Sequence, residues 1–251
     1  MIICADDFGI SPSVNKGILE LIQKRKISAV SCMMCEPNAR EEFTQLKKLR
    51  ANVDIGLHLV LTDFIPSIHL PGNSRLRNKL GRFNRFNTLV LNSLRRQIDS
   101  REVASEILAQ LKRFIDIFGF PPDYIDGHQH AQQLPGIRQA LLDVIENNYG
   151  LVRKDKIYLR VSKMPDGWVQ TLGFDNKGNN IVGNFLISAF GNSFSSLIHA
   201  RGLKSNRYLF GYYNYSPRVS FESIFRLYAK FNPGARDIFF CHPGYVDDQL
   251  R

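Results

Sequence analysis

Two adjacent carboxylates, Asp6 and Asp7, close the short apolar run that begins at Met1, and Phe8-Gly9 follows them directly. The run reads as a buried strand that delivers both acids to its carboxyl end. Neighbouring carboxylates repel, and near a buried strand end they are also desolvated. They are best tolerated when a cation neutralises one and the other works as a base. The plain alternative is that one Asp caps the next helix and the other is solvated.

The histidines sharpen the choice. Of six in the chain, four stand beside strand-like runs: His58 within Ile55 to Leu59, His128 and His130 after Tyr124 to Gly127, and His242 after Ile238 to Cys241. An aspartate and two imidazoles from separate strand ends suit a divalent ion with positions left open for water or substrate. Zn, Mg, Mn and Fe all fit that ligand set. Taken alone, His58 reads better as a core histidine bonded to backbone. His128-x-His130 is more specific, because alternate residues of an extended segment share a side. His58 falls inside its apparent strand, so a kink or an early strand end is expected there.

Seven strand-like runs alternate with helices: Met1 to Ala5, Ile27 to Met34, Val53 to Leu61, Asp123 to Asp126, Ile157 to Val161, Tyr208 to Tyr212 and Asp237 to Cys241. The helices are read over Ser11-Pro12 onward, Glu41 to Leu49, Arg101 to Phe118, from Pro135, Ile181 to Ala200 and Phe221 to Lys230. This pattern predicts an α/β fold with a parallel sheet, a TIM-barrel-like and irregular (β/α)7 barrel in a single domain over 1–251. Acids and histidines at the carboxyl ends of barrel strands are where an active site is expected. Thr62 to Ser100 shows little periodicity, and a connection that long is commonly functional or mobile, while Asp166 to Asn180 is turn-rich.

At 251 residues and 28.7 kDa one α/β domain suffices. No apolar run is long enough to span a bilayer and the first residues lack a leader pattern, so a cytoplasmic protein is expected. Cys4, Cys32, Cys35 and Cys241 lie in or beside strand-like runs, as small buried hydrophobes. Cys32-Met33-Met34-Cys35 has knuckle spacing, but no second pair accompanies it. The formal charge of +10 and pI of about 9.6 favour anionic partners. Much of the excess lies at Arg75, Arg77, Lys79, Arg82, Arg85, Arg95 and Arg96. A solvated face, an anionic substrate or a membrane surface would each explain it. Nucleic acid ranks last, because no recognised module accompanies the charge.

Ala5-Asp6-Asp7-Phe8-Gly9, Gly56-Leu57-His58-Leu59-Val60-Leu61-Thr62, Asp126-Gly127-His128-Gln129-His130 and Cys241-His242-Pro243-Gly244-Tyr245 together resemble the YdjC-like carbohydrate deacetylases, with their chitooligosaccharide and hopanoid-biosynthesis branches. The motifs come in the family's order over nearly the whole chain. The resemblance implies a TIM-barrel-like fold and hydrolysis of an N-acetyl group from an amino sugar, oligosaccharide or glycolipid. It assigns Asp7, His58 and His128 to one divalent ion, Mg or Zn, Asp6 to the general base and His242 to a candidate acid. His130 and Arg160 are expected to contact substrate, Arg160 at an anionic part of it. The chain departs from many relatives in carrying Gln132 where they have another histidine, and in stopping nine residues after His242.

The alternatives are a metal-dependent phosphoesterase and a non-catalytic binder of an acidic glycan or membrane surface. Peripheral membrane contact and a homodimer are left open.

Overall fold

In the computed structural model, which describes residues 1–34, 40–148, 152, 156–165, 180–212 and 220–246, apolar runs buried on both faces become the strands of one parallel sheet. The strands are β1 (Ile2–Phe8), β2 (Ala29–Met33), β3 (Asp54–Leu59), β4 (Tyr124–Gly127), β5 (Tyr158–Leu159), β6 (Lys204–Ser205), β7 (Leu209–Phe210) and β8 (Ile238–Cys241). Helices α1 (Pro12–Gln23), α2 (Arg40–Lys48), α3 (Phe86–Leu94), α4 (Ser100–Phe118), α5 (Ile137–Asn147), α6 (Asn180–Ala200) and α7 (Phe221–Ala229) alternate with them. No helix of the described residues is long and apolar enough to cross a membrane.

The sheet order is β6-β5-β4-β3-β2-β1-β8-β7, with every neighbouring pair parallel. That is the circular order of a barrel, open at one seam: β6 and β7 are not paired among the described residues. The barrel-like α/β fold is therefore as expected, and the two-residue β6 adds an eighth strand to the seven read from the pattern. β1 runs on past Ala5 through both aspartates to Phe8. Strand β3 runs through His58 without a kink and ends at Leu59, two residues before the Leu61 read from the pattern, which leaves His58 beside its carboxyl end.

Local chemistry explains the helix ends. Ser11 Oγ accepts the Val14 N–H at 3.3 Å, and Pro12 opens α1. Asp99 accepts the Arg101 N–H at 2.8 Å at the start of α4, and Gly119 ends it in the left-handed conformation. Val103, Ile107, Leu111, Phe114 and Phe118 form its buried stripe.

The stretch from Thr62 to Ser100 is an ordered excursion containing α3, which sequence periodicity did not reveal. Helix α4 holds it by its own polar side chains. Buried Glu106 accepts the Ser67 and Ile68 N–H groups at 3.0 and 3.1 Å, and Gln110 bonds both the N–H and the carbonyl of Val60. Asn84 and Asn92 both donate to the Arg75 carbonyl, which ties the loop to α3. The turn-rich segment after Asp166 lies outside the described residues up to 179, and so does Cys35; Cys32 is buried.

Gly56 on β3 has a steric duty. A Cβ there would stand 2.3 Å from the Tyr124 ring, which lies over β3 and brings its hydroxyl to Cys4 and Ser31. Gly56→Ala is expected to lose about 1–3 kcal/mol of stability from overpacking, read as a lower urea midpoint at unchanged slope. A wild-type midpoint would mean that the ring shifts freely.

Candidate metal centre and its buried support

Successive side chains of a strand point to opposite faces, so an unbroken β1 could not present both Asp6 and Asp7 inside the barrel. Asp7 solves this with a left-handed φ of 67°, and the β1–β2 register shifts between Ala5 and Phe8. Both carboxylates then reach one group of polar side chains. Asp7 Oδ1 lies 3.0 Å from His128 Nδ1 and 3.3 Å from His58 Nε2, and Asp7 Oδ2 lies 3.8 Å from His242 Nε2. Ligand-type atoms of Asp7, His58 and His128 all fall within 4.8 Å of one another. The structure thus brings together the three residues expected to hold an ion, with His242 beside them.

Beneath this group lies a second layer that sequence reading missed. His58 and Asp126 are register partners across β3 and β4, and His58 Nδ1 meets Asp126 Oδ1 at 2.6 Å. The bond fixes the ring and turns Nε2 towards Asp7. Asp126 Oδ2 accepts from Ser31 Oγ at 2.7 Å and from Arg160 Nη1 at 2.8 Å. Strand alternation puts Asp126 on the same side as His128 two residues on, a signal present in the motif. Its register against His58 was not readable without the sheet.

Arg160 is 1% exposed, and its guanidinium grips both oxygens of Asp6 at 2.7 Å while reaching Asp126. It therefore faces carboxylates rather than solvent, unlike the expected role at an anionic part of the substrate. Cys4, Asp6 and Asp126 also bring ligand-type atoms together. Arg160 already occupies the space between those two carboxylates, so that cluster is a buried ion-pair network.

His130 also departs from its expected place. Gln129 and His130 have φ of 53° and 59° within the 3-10 segment His128–Gln133, so the extended alternation that would align His128 with His130 is absent. The His130 ring packs against Tyr212 and Phe240 at 5.3 and 5.4 Å, buried. Gln132 Nε2 donates to the Arg160 carbonyl at 3.0 Å, so the position that differs from many relatives supports the network from behind.

These surroundings set the charges. Burial alone would raise the Asp6 carboxyl, but Arg160 outweighs it and holds the group well below the usual carboxylate range. Burial likewise opposes ionisation of Asp7, and hydrogen bonds from His128 and His58 outweigh it. Burial disfavours a charged His58, yet Asp126 dominates and raises it to about 10. For His130 burial prevails, reinforced by Arg160, and lowers it to about 3.

The architecture and this centre define a barrel-like α/β protein with a candidate Asp-His-His metal site at the carboxyl ends of its strands. The chain belongs to the YdjC-like protein family, which matches residues 1–251. Among curated relatives, a carbohydrate deacetylase of Xenopus laevis is 31% identical over 59% of this chain and 48% of its own. A chitooligosaccharide deacetylase of Proteus mirabilis is 28% identical over 70% and 68%, and a carbohydrate deacetylase of Geobacillus stearothermophilus is 35% identical over 54% and 51%. The match thus spans about half the length of several of these relatives. A solved structure from Enterococcus faecalis V583, described as a candidate cellobiose-phosphate cleavage protein, shares the fold with a TM-score of 0.63 at 22% identity, over 99% of this chain and 82% of the other.

The two perturbed histidines predict a stability optimum in chelator-treated protein. His58 keeps a proton to about pH 10 that the unfolded chain releases near its ordinary 6.5, so its contribution is full below 6.5 and lost as pH rises through that window. His130 refuses a proton that the unfolded chain takes up below 6.5, so stability also falls as pH drops towards 3. Thermal melts should peak near pH 6.5 and decline on both sides. A melting temperature constant from 6.5 to 10 would contradict the His58–Asp126 pairing.

Proposed function

We propose that the protein is a metal-dependent deacetylase that removes an N-acetyl group from an amino sugar, oligosaccharide or glycolipid. The observation that carries this is the charge of the centre. Asp6, Asp7 and Asp126 bring three carboxylates together in a largely buried space against the single guanidinium of Arg160. With His58 neutral, as a ligand must be, about two negative charges stay unmatched, which suits one divalent cation.

Asp7, His58 and His128 would hold that ion. It would supply Lewis acidity to an amide carbonyl and lower the pKa of water, the two things amide hydrolysis needs. Asp6, kept ionised and oriented by Arg160, accepts the proton from the attacking water. His242, half-exposed near Asp7, gives a proton to the leaving amine. His130, neutral and packed on aromatic rings, and Arg160 act in this reading as positioning residues rather than substrate contacts. The names of the curated relatives support the sugar amide over a phosphate ester.

The test is acetate release from N-acetylated chitooligosaccharides by chelator-treated protein resupplied with Mg or Zn, beside ion stoichiometry. The wild type should bind about one ion per chain and release acetate only when reloaded. His128→Ala should lose both, whereas Asp6→Asn should bind the ion and lose turnover. Phosphate release from phosphate esters without acetate release would favour the phosphoesterase reading. Full turnover in Asp6→Asn would remove that carboxylate from the reaction.

Asp126→Asn probes the buried support separately. It should weaken ion binding about 10–100-fold by freeing the His58 ring, measured by calorimetric titration. Unchanged affinity would show that Asp126 orients nothing.

A further inference from the structure

The excursion between β3 and α4 has a surface that the catalytic reading does not use. From Phe64 to Ile98 the chain carries seven basic residues, Arg75, Arg77, Lys79, Arg82, Arg85, Arg95 and Arg96, and no acidic one. All but Arg77 are exposed, and none makes a salt bridge among the described residues. Arg75, Arg77 and Lys79 line an open polar hollow together with Asn73, Asn78 and Asn84.

Apolar side chains stand out of the same unit. Leu80 is 84% exposed at the tip of a turn in which Asn78 Oδ1 accepts the Leu80 and Arg82 N–H groups. Ile65 is 62% exposed, and Leu91 and Leu94, adjacent along one face of α3, are 45% and 53% exposed beside Arg95. A solvated basic face would gain nothing from large apolar groups exposed within it. Exposed leucines set among cations that no carboxylate neutralises are the combination that settles into the interface of a membrane, the apolar tips among acyl chains and the cations at the headgroups.

The excursion also starts at the wall of the candidate centre. Phe64 packs its ring 5.9 Å from that of His128, and Asp63 accepts from Gln129. We infer that this excursion is a docking surface for an anionic phospholipid bilayer, which holds the mouth of the barrel against the membrane. Binding requires no turnover, so the inference stands or falls apart from the deacetylase reading.

The experiment is cosedimentation of the whole protein with vesicles of phosphatidylcholine alone or with about a third phosphatidylglycerol, at low and high salt. Binding is expected only to the anionic vesicles and should fall at least about tenfold from 0.1 to 0.5 M NaCl, as screening shortens the reach of the charges. Arg75→Glu/Lys79→Glu/Arg95→Glu should weaken it about tenfold or more. Leu80→Ser should weaken it several-fold while keeping the salt dependence. These side chains are exposed, and matching melting temperatures would show that the variants fold. No binding to anionic vesicles, equal binding to neutral ones, or wild-type binding by the triple variant would overturn the inference. So would loss of vesicle binding in millimolar inorganic phosphate at constant ionic strength, which marks a free-phosphate site, or binding to a DNA duplex in place of vesicles.

Discussion

Arg160 is the interaction on which the centre depends. A fully buried guanidinium without partners would be prohibitively costly, and so would the carboxylates of Asp6 and Asp126 without it. Together, through the two terminal guanidinium nitrogens, they form charge-assisted hydrogen bonds that join β1 and β4 to the end of β5 across the barrel interior. The bidentate geometry fixes Asp6 in direction as well as charge. Lysine, a point charge with no planar fork, could not hold both carboxylates in that arrangement.

From this base the rest of the centre follows outward. Asp126 turns from Arg160 to His58, His58 presents its second nitrogen to Asp7, and Asp7 meets His128 and His242 near the mouth. Arg160, Asp126 and His58 are all fully buried, and access to solvent begins at Asp7 and grows towards His242. The left-handed backbone at Asp7 is the hinge of the arrangement, since it alone lets two neighbouring residues serve two different depths. Tyr124 and Ser31 brace the inner end, and the room for Tyr124 comes from the missing side chain at Gly56.

Much of this was legible in the chain, because apolar runs, caps and strand-end acids are local signals. Ser11-Pro12 announced α1, and the two adjacent aspartates and the histidines stood out as polar residues in or beside apolar strands, while the choice of Asp7, His58 and His128 among them came from the resemblance to the family. What stayed hidden was non-local or too short to leave a pattern. The bulge at Asp7 has no signature in alternation, so β1 seemed to end early. Helix α3 lacks a side-chain cap at Arg85, and asparagines interrupt its apolar spacing; β6 is two residues long. Arg160 and Asp126 were in view as residues, but their pairing is a property of sheet register and barrel closure. The alternation expected for His128 and His130 failed because the chain leaves extended geometry immediately after β4.

Glu106, Gln110, Asn84 and Asn92 hold the excursion through its main chain: each grips amide hydrogens or carbonyls at Val60, Ser67, Ile68 or Arg75. Such clamps are indifferent to the side chains of the residues they grasp. The excursion can accumulate substitutions along its outward positions while its path over the barrel is preserved. The fold thereby sets an adaptable outer surface beside the fixed candidate centre, where outward side chains can change without altering the path of the main chain.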